Sequence, residues 1–170
     1  MKNLCLLCFI TIGLLWSVGC SDPVKGCTDP ESETYDPNAE ENNSSDCIYA
    51  RDKFVGEYDA ELECDNALAL LINGMTSISI VESSTGTNYV DITLLTDPIL
   101  RLEATVTGNT LNIDNEIPNV SIGGSFFDVA ATGDLTIDEN AINLSGILNV
   151  TLTGPAGTSE DSCMVTATKK

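Results

Sequence analysis

Four oxygen-bearing side chains are the first candidates for chemistry in this sequence: Asp36, Asn38, Glu40 and Asp46. They lie between Cys27 and Cys47, and calcium loops use carboxylate and amide oxygens at such alternating positions. An EF-hand loop also needs glycine at its sixth position and glutamate at its twelfth, but Glu41 and Cys47 stand there. A solvated acidic turn is the alternative interpretation. The sequence therefore permits a calcium site without requiring one.

Catalytic chemistry has little support in the composition. The chain contains no histidine, which excludes Ser-His and Cys-His pairs and any zinc site built with histidine. It has no glycine-rich phosphate loop. A carboxylate pair for glycoside hydrolysis is compatible with the composition, but the acids of the first long strand alternate onto its solvent side. We therefore expect no enzyme, no catalytic residues and no cofactor other than calcium.

The amino terminus predicts export and lipid attachment. A short apolar run at residues 4–16 follows Lys2 and ends in the tetrapeptide Ser-Val-Gly-Cys at residues 17–20. The run is too short to span a bilayer and suits a signal peptide, and its end resembles a bacterial lipobox. We predict a signal peptide at 1–19, lipidation of Cys20, and anchoring in the outer membrane, facing the periplasm or the cell surface. An ordinary secretory signal is the alternative.

The remaining cysteines predict a disulfide framework. Cys27, Cys47, Cys64 and Cys163 form an even set, which suits an oxidising compartment and allows three pairings. We predict Cys27–Cys47 and Cys64–Cys163, because each pair then closes one compositional unit. A tether at residues 20–26 would lead to the cysteine-bounded acidic segment, residues 27–49, and then to a β domain at 51–170.

The formal net charge of −19 limits the partners. A strongly acidic chain repels nucleic acid and anionic lipid headgroups. Solubility on a crowded surface is one interpretation of this charge. A basic protein partner is the other.

Alternation of apolar and polar residues dominates residues 51–170 and predicts strands with one buried face. The predicted inward residues are Phe54, Tyr58, Ala60, Leu62, Cys64, Val90, Ile92, Leu94, Leu100, Leu102, Ala104, Val106, Phe127, Val129, Ala131, Leu135, Ile137, Ile142, Leu144, Leu148, Val150, Leu152, Cys163, Val165 and Ala167. Tight hairpins are predicted at 107–110 and 137–142, and looser loops at 82–88 and 153–161.

This pattern predicts an all-β fold, an antiparallel meander of about eight strands closed into a small barrel. Inward-facing Gly56, Gly133 and Gly146 favour the barrel, because glycine permits the bending that closure needs. A β-sandwich is the alternative. Residues 65–75 break the alternation and predict a short helix across one barrel end.

Two resemblances follow from these residues. Residues 26–49 resemble a cysteine-bounded repeat of exported Bacteroidota-type proteins, and the matching positions are Gly26, Cys27, Thr28, Asp29, Pro30, Tyr35, Asp36, Pro37, Ala39, Cys47 and Tyr49. Thr34 and residues 44–46 depart from that repeat. Residues 54–64 with 162–170 resemble the lipocalin-like domains of small surface lipoproteins. The resemblances imply a β-barrel in a lipoprotein and no defined activity.

The sequence thus predicts a membrane-anchored, non-catalytic binding or structural module. A lipocalin-like carrier of a small apolar ligand is the alternative, and it requires an internal cavity of about 300 Å³ or more. A third class, an inhibitor-like or adhesive domain, would act through the loops at 83–88 and 154–161.

Overall fold

The structure is a computed structural model that describes residues 22–65, 77–94, 99–122 and 124–170. The fold is all-β. The predicted helix at 65–75 lies, beyond Asp65, outside the described residues, as does the signal peptide with Cys20.

A compact amino-terminal unit, which we call the collar (residues 22–53), precedes the main fold. It contains the short parallel pair β1 (Lys25–Gly26) and β2 (Glu41–Asn42). Two 3-10 helices follow, at Ser44–Asp46 and Ala50–Lys53. The predicted Cys27–Cys47 disulfide closes the unit.

Eight antiparallel strands form a closed barrel, in which each strand pairs with its sequence neighbours and the last pairs with the first. The strands are β3 (Gly56–Cys64), β4 (Ser77–Glu82), β5 (Tyr89–Leu94), β6 (Leu100–Thr107), β7 (Thr110–Ile122), β8 (Ser125–Ile137), β9 (Asn143–Gly154) and β10 (Gly157–Lys169). This confirms the predicted meander barrel. The β-sandwich alternative is wrong, because β10 pairs with β3 and leaves a single closed sheet.

The predicted second disulfide lies at this closing pair. Cys64 and Cys163 are directly opposite each other in the register of β3 and β10, and the structure joins them. The bond therefore links the first and last barrel strands.

One apolar cluster fills the inward side of the barrel. Nearly all the predicted inward residues belong to it, and its largest fully buried side chains include Tyr58, Phe54 and Ile80. Ile142 is the exception, since it is 45% exposed. It lies in the connection before β9, where its N–H binds the Asp138 carboxylate, so the strand alternation begins only afterwards.

The connections differ from expectation at one hairpin. The predicted loose loop at 153–161 is wrong: β9 and β10 stay paired to Gly154 and Gly157, leaving a two-residue turn. Gly157 has a φ of 119°, which glycine adopts without the penalty of a Cβ. Two strands that the sequence analysis did not single out, β4 and β7, complete the barrel.

Glycines permit the close approach of β8 and β9. A Cβ added at Gly133 would lie 2.1 Å from the Ile147 carbonyl oxygen, and one at Gly146 would lie 2.1 Å from the Asp134 oxygen. Since neither backbone could move away cheaply, these two positions require glycine for the bend.

The strands are unequal in length, and this gives the barrel two different ends. Pairing of β6 with β7 stops at Ala104 and Ile113, and β3 pairs with β10 only as far as Cys163. The outer parts of β7–β10 therefore project beyond the shorter strands as a four-stranded extension, the distal sheet (residues 114–122, 125–132, 149–154 and 157–162). The collar lies at the opposite end, where residues 50–53 lead into β3.

Candidate functional site

One predicted calcium ligand of the collar, Asp36, takes part in a local turn. The Asp36 carboxylate accepts hydrogen bonds from the backbone and side-chain nitrogens of Asn38, at 2.9 and 3.2 Å. Within the described ranges, no three His, Cys, Asp or Glu side chains form a group that could hold a metal ion. The Asp36 carboxylate therefore stabilises a local turn, and calcium binding by Asp36, Asn38, Glu40 and Asp46 remains a prediction.

Other polar side chains of the collar act within it. Ser32 is buried, and its hydroxyl donates to the Ile48 carbonyl at 2.9 Å. The Ile48 N–H in turn donates to the Ser32 hydroxyl oxygen. The Tyr49 hydroxyl donates to Asp29 at 2.8 Å. These bonds and the disulfide make the collar a rigid unit.

Contacts with one end of the barrel fix the collar in place. The Arg51 guanidinium donates to the Gly86 carbonyl at 2.7 Å and forms an ion pair with Glu82 at 2.8 Å. Its side chain is only 13% exposed. Lys53 bonds Asn109 in the β6–β7 turn at 3.1 Å, and Glu31 accepts from Thr87. Because two separate connections of the barrel are held, β4–β5 and β6–β7, the collar cannot pivot without breaking several bonds.

The shifted ionisable groups serve structure. Hydrogen bonds from the Glu31 N–H and the Tyr49 hydroxyl lower the pKa of Asp29, and the same Asp29 bond raises the pKa of Tyr49. Backbone and side-chain bonds from Ile142 and Asn143 lower the pKa of Asp138. Burial raises the pKa of Tyr58 to about 12. Each of these groups stabilises a turn, the collar or the core.

The collar end of the barrel is closed by apolar side chains. Phe54 and Tyr58 are fully buried, and the Tyr58 hydroxyl donates to the Phe54 carbonyl at 2.7 Å. The Lys169 ammonium lies 5.8 Å from the Tyr58 ring centroid and donates to the Lys53 carbonyl. An opening to the interior at this end would have to displace these side chains.

An open concavity lies on the outside of β7–β10. One depression of about 390 Å³ is lined by Glu116, Ile117, Pro118, Asp128, Val129, Ala130, Thr151 and Thr153. A second, of about 360 Å³, is lined by Asp65, Asn149, Val150, Thr151, Glu160, Asp161 and Ser162. Because both share Thr151, they form one continuous surface across β9, which we call the outer groove.

Strand register sets the composition of the outer groove. Pairing aligns Glu116 with Ala130, Ala130 with Thr151, and Thr151 with Glu160. The floor therefore carries small side chains, and a carboxylate stands on each side. Four residues along β9 toward the collar from Thr151, the exposed residues Ile147 and Met164 lie opposite each other.

Sequence reasoning did not find this groove. The alternation of β9 placed Ile147, Asn149 and Thr151 on the outer face, but the partners of each residue depend on register. The one available signal was the absence of lysine and arginine from residues 110–154.

No helix in the described part of the chain is long and apolar enough to cross a membrane. No family model and no curated protein matches the chain. Among solved structures, zebrafish ileal bile acid-binding protein complexed with cholic acid is similar, with a TM-score of 0.34 and 15% identity, over 69% of this chain and 99% of that one. At this level of likeness its ligand is not transferred to this chain. The cysteine-bounded repeat and the lipoprotein setting remain predictions.

Proposed function

We propose that this protein is a non-catalytic binding or structural module, anchored in the outer membrane by lipid on Cys20, which presents the distal sheet away from the membrane. The observation that carries the proposal is the placement of the collar and the distal sheet at opposite ends of one barrel. The lipidated residue would precede β1 by only a few residues, so the collar end would lie close to the membrane surface.

The rigidity of the collar supports this arrangement. A flexible tether would let the barrel take any orientation, whereas Arg51, Lys53 and Glu31 hold the collar to two connections of the barrel. The exposed Lys25–Glu41 pair at 3.5 Å lies within the collar and does not bind the barrel, so the collar–barrel contact depends on the hydrogen bonds and ion pair of the largely buried Arg51.

Mass spectrometry of the protein from a lipoprotein-processing host tests the anchor. We expect a mature chain that begins at Cys20 and carries acyl groups, and a Cys20→Ala variant that carries none. A mature terminus at another residue, with no lipid mass, would refute the anchor.

Depth-dependent quenching tests the orientation. A fluorophore placed at Asn140→Cys, in the connection before β9, should be quenched more strongly by a headgroup quencher than one at Ala156→Cys, in the distal turn. Both positions are exposed, so the two labels are matched in accessibility. Equal or reversed quenching would contradict the proposed orientation.

A carrier of a small apolar ligand is the second candidate, since closed barrels of eight strands can hold one small ligand. The inward cluster with Phe54, Tyr58 and Leu111 favours a filled interior instead. Native mass spectrometry of the protein made in its own host separates the two: a retained apolar ligand supports the carrier, and a bare mass supports the filled module.

A further inference from the structure

A neutral path bordered by acids follows the outward face of β9. The outward side chains of this strand from residue 145 onward are uncharged: Ser145, Ile147, Asn149, Thr151 and Thr153. On one side, β7 and β8 present Glu116, Asp128 and Asp134, and on the other, β10 and β3 present Glu160 and Glu63. The carboxylates therefore form two walls rather than one scattered cluster.

Part of the path is apolar. Ile147 is 55% exposed and its cross-strand partner Met164 is 51% exposed. Asp134 pairs beside Ile147, and Glu63 pairs beside Met164. Two adjacent exposed apolar side chains inside a charged border resemble the centre and rim of a protein interface.

The charge of this face is not balanced by the strands that form it. Strands β7, β8 and β9 contain no lysine or arginine, and the one lysine of β10, Lys169, lies at the collar end. Such a surface repels nucleic acid and anionic lipid and attracts a cationic partner.

The dimensions fit a helix. Level with Thr151, Glu116 faces Glu160 across the path, and level with Ile147, Asp134 faces Glu63. Each pair spans three strand spacings of about 4.8 Å, so the walls stand about 14 Å apart and leave room for an α-helix of about 10 Å diameter. From Ile147 to Thr153 the path is about 20 Å long, enough for about 13 helical residues. An extended peptide would fit the groove less well, because the groove face offers it side chains only, and the free strand edges of the distal sheet, on β7 and β10, lie at the margins of that face.

We propose that the outer groove docks an amphipathic basic helix of a partner protein. Its apolar side would lie on Ile147, Met164 and the Ala130–Thr151 floor, and its flanking lysines and arginines would pair with the two acidic walls. This inference names the partner of the binding module proposed above and rests on that proposal.

Peptide titration tests the proposal on the full-length protein, purified from its expression host in a mild non-ionic detergent. The probe is a helix-forming peptide of about 14 residues with leucines along one side and lysines flanking them. Fluorescence anisotropy should show saturable binding that weakens as salt rises from about 0.05 M to about 0.3 M. A scrambled peptide of the same composition should bind at least about tenfold more weakly, because it lacks the apolar side.

Matched variants locate the binding. Glu116→Gln/Glu160→Gln removes one charge from each side of the groove and should weaken binding by about tenfold or more. Asp91→Asn/Glu139→Gln removes two exposed charges elsewhere and should change it by less than about twofold. Ile147→Ser should also weaken binding, and circular dichroism should show all three variants folded, since every replaced side chain is exposed.

Three results would overturn the proposal: no saturable binding, equal binding of the scrambled peptide, or equal losses in the groove and control double variants. The last would show a general attraction to a chain of net charge −19. Failure of the lipid anchor would leave these titrations unchanged, because the peptide binds the detergent-purified chain. The two proposals can therefore fail separately.

Discussion

Reduction of the Cys64–Cys163 disulfide should cost more stability than any exposed substitution in the molecule. The bond joins residues 99 positions apart, and without it the unfolded chain gains the freedom of a very long loop. In the folded state the register of the β3–β10 pair places the two cysteines opposite each other, and we expect the strand pairing to hold them there after reduction. The effect therefore arises mainly in the unfolded state.

Loop-closure entropy sets the magnitude. A loop of this length corresponds to about 4.7 kcal/mol of stabilisation at 25 °C. The collar disulfide closes a separation of 20 residues, which corresponds to about 3.3 kcal/mol. The collar bond should matter less to the barrel, because its loop contains no barrel strand.

Urea unfolding followed by circular dichroism measures the difference. The variant Cys27→Ala/Cys47→Ala keeps only the barrel disulfide, and its unfolding is compared with and without dithiothreitol. Reduction removes no heavy atom, so the comparison contains no cavity term of the kind that a Cys→Ala substitution adds. We expect reduction to lower the free energy of unfolding by about 3–5 kcal/mol.

The reciprocal variant, Cys64→Ala/Cys163→Ala, is the control, since reduction then opens only the collar loop. A loss below about 1 kcal/mol on reducing the barrel disulfide would refute the reasoning. It would show that the unfolded chain already holds β3 near β10, so that the bond removes little freedom.

Two further predictions concern the core and the bend. Gly133→Ala should lower the free energy of unfolding by about 3 kcal/mol or more, because its Cβ would meet the Ile147 carbonyl oxygen at 2.1 Å. The control Gly108→Ala, at a position with open space and a φ of 59°, should lose only about 1–2 kcal/mol. Equal losses of the two variants in urea unfolding would contradict the steric argument. Burial raises the pKa of Tyr58 to about 12 from 10.0, so the folded protein holds this proton more tightly than the unfolded chain. The free energy of unfolding is therefore unaffected by this titration below pH 10, and it falls by up to about 3 kcal/mol as pH rises from about 10 to about 12. This loss should be absent from Tyr58→Phe, and identical pH profiles of the two proteins would show that Tyr58 does not titrate in that range.

Much of the fold could be predicted from the sequence. Alternation identified the inward residues of most strands, since the two faces of a strand meet different solvents. The cysteine positions gave the disulfide pairing, because Cys64 and Cys163 end and begin apolar alternations at the two limits of the β domain. Ile142 and the turn at 155–156 were mispredicted, because local hydrogen bonding and glycine geometry decide where a strand begins and ends.

The candidate site was less predictable. Asp36 and Asn38 are predicted calcium ligands, and the structure adds that the Asp36 carboxylate accepts two hydrogen bonds from Asn38 in a tight turn. The outer groove is made by Glu116, Thr151 and Glu160, which are far apart in sequence and meet only through register. A pattern of period two gives the face of each residue and not its neighbour on the next strand.

The sequence by itself thus determined an acidic all-β chain, in which alternation gives each of most strands one buried face, and the pairing of two disulfides. Only the tertiary structure decided that β10 closes on β3, that the collar is fixed at one end by Arg51, and that acidic walls flank a neutral path on β9. The physical reason is that burial depends on local alternation, whereas closure, docking and cross-strand rows depend on contacts between residues distant along the chain.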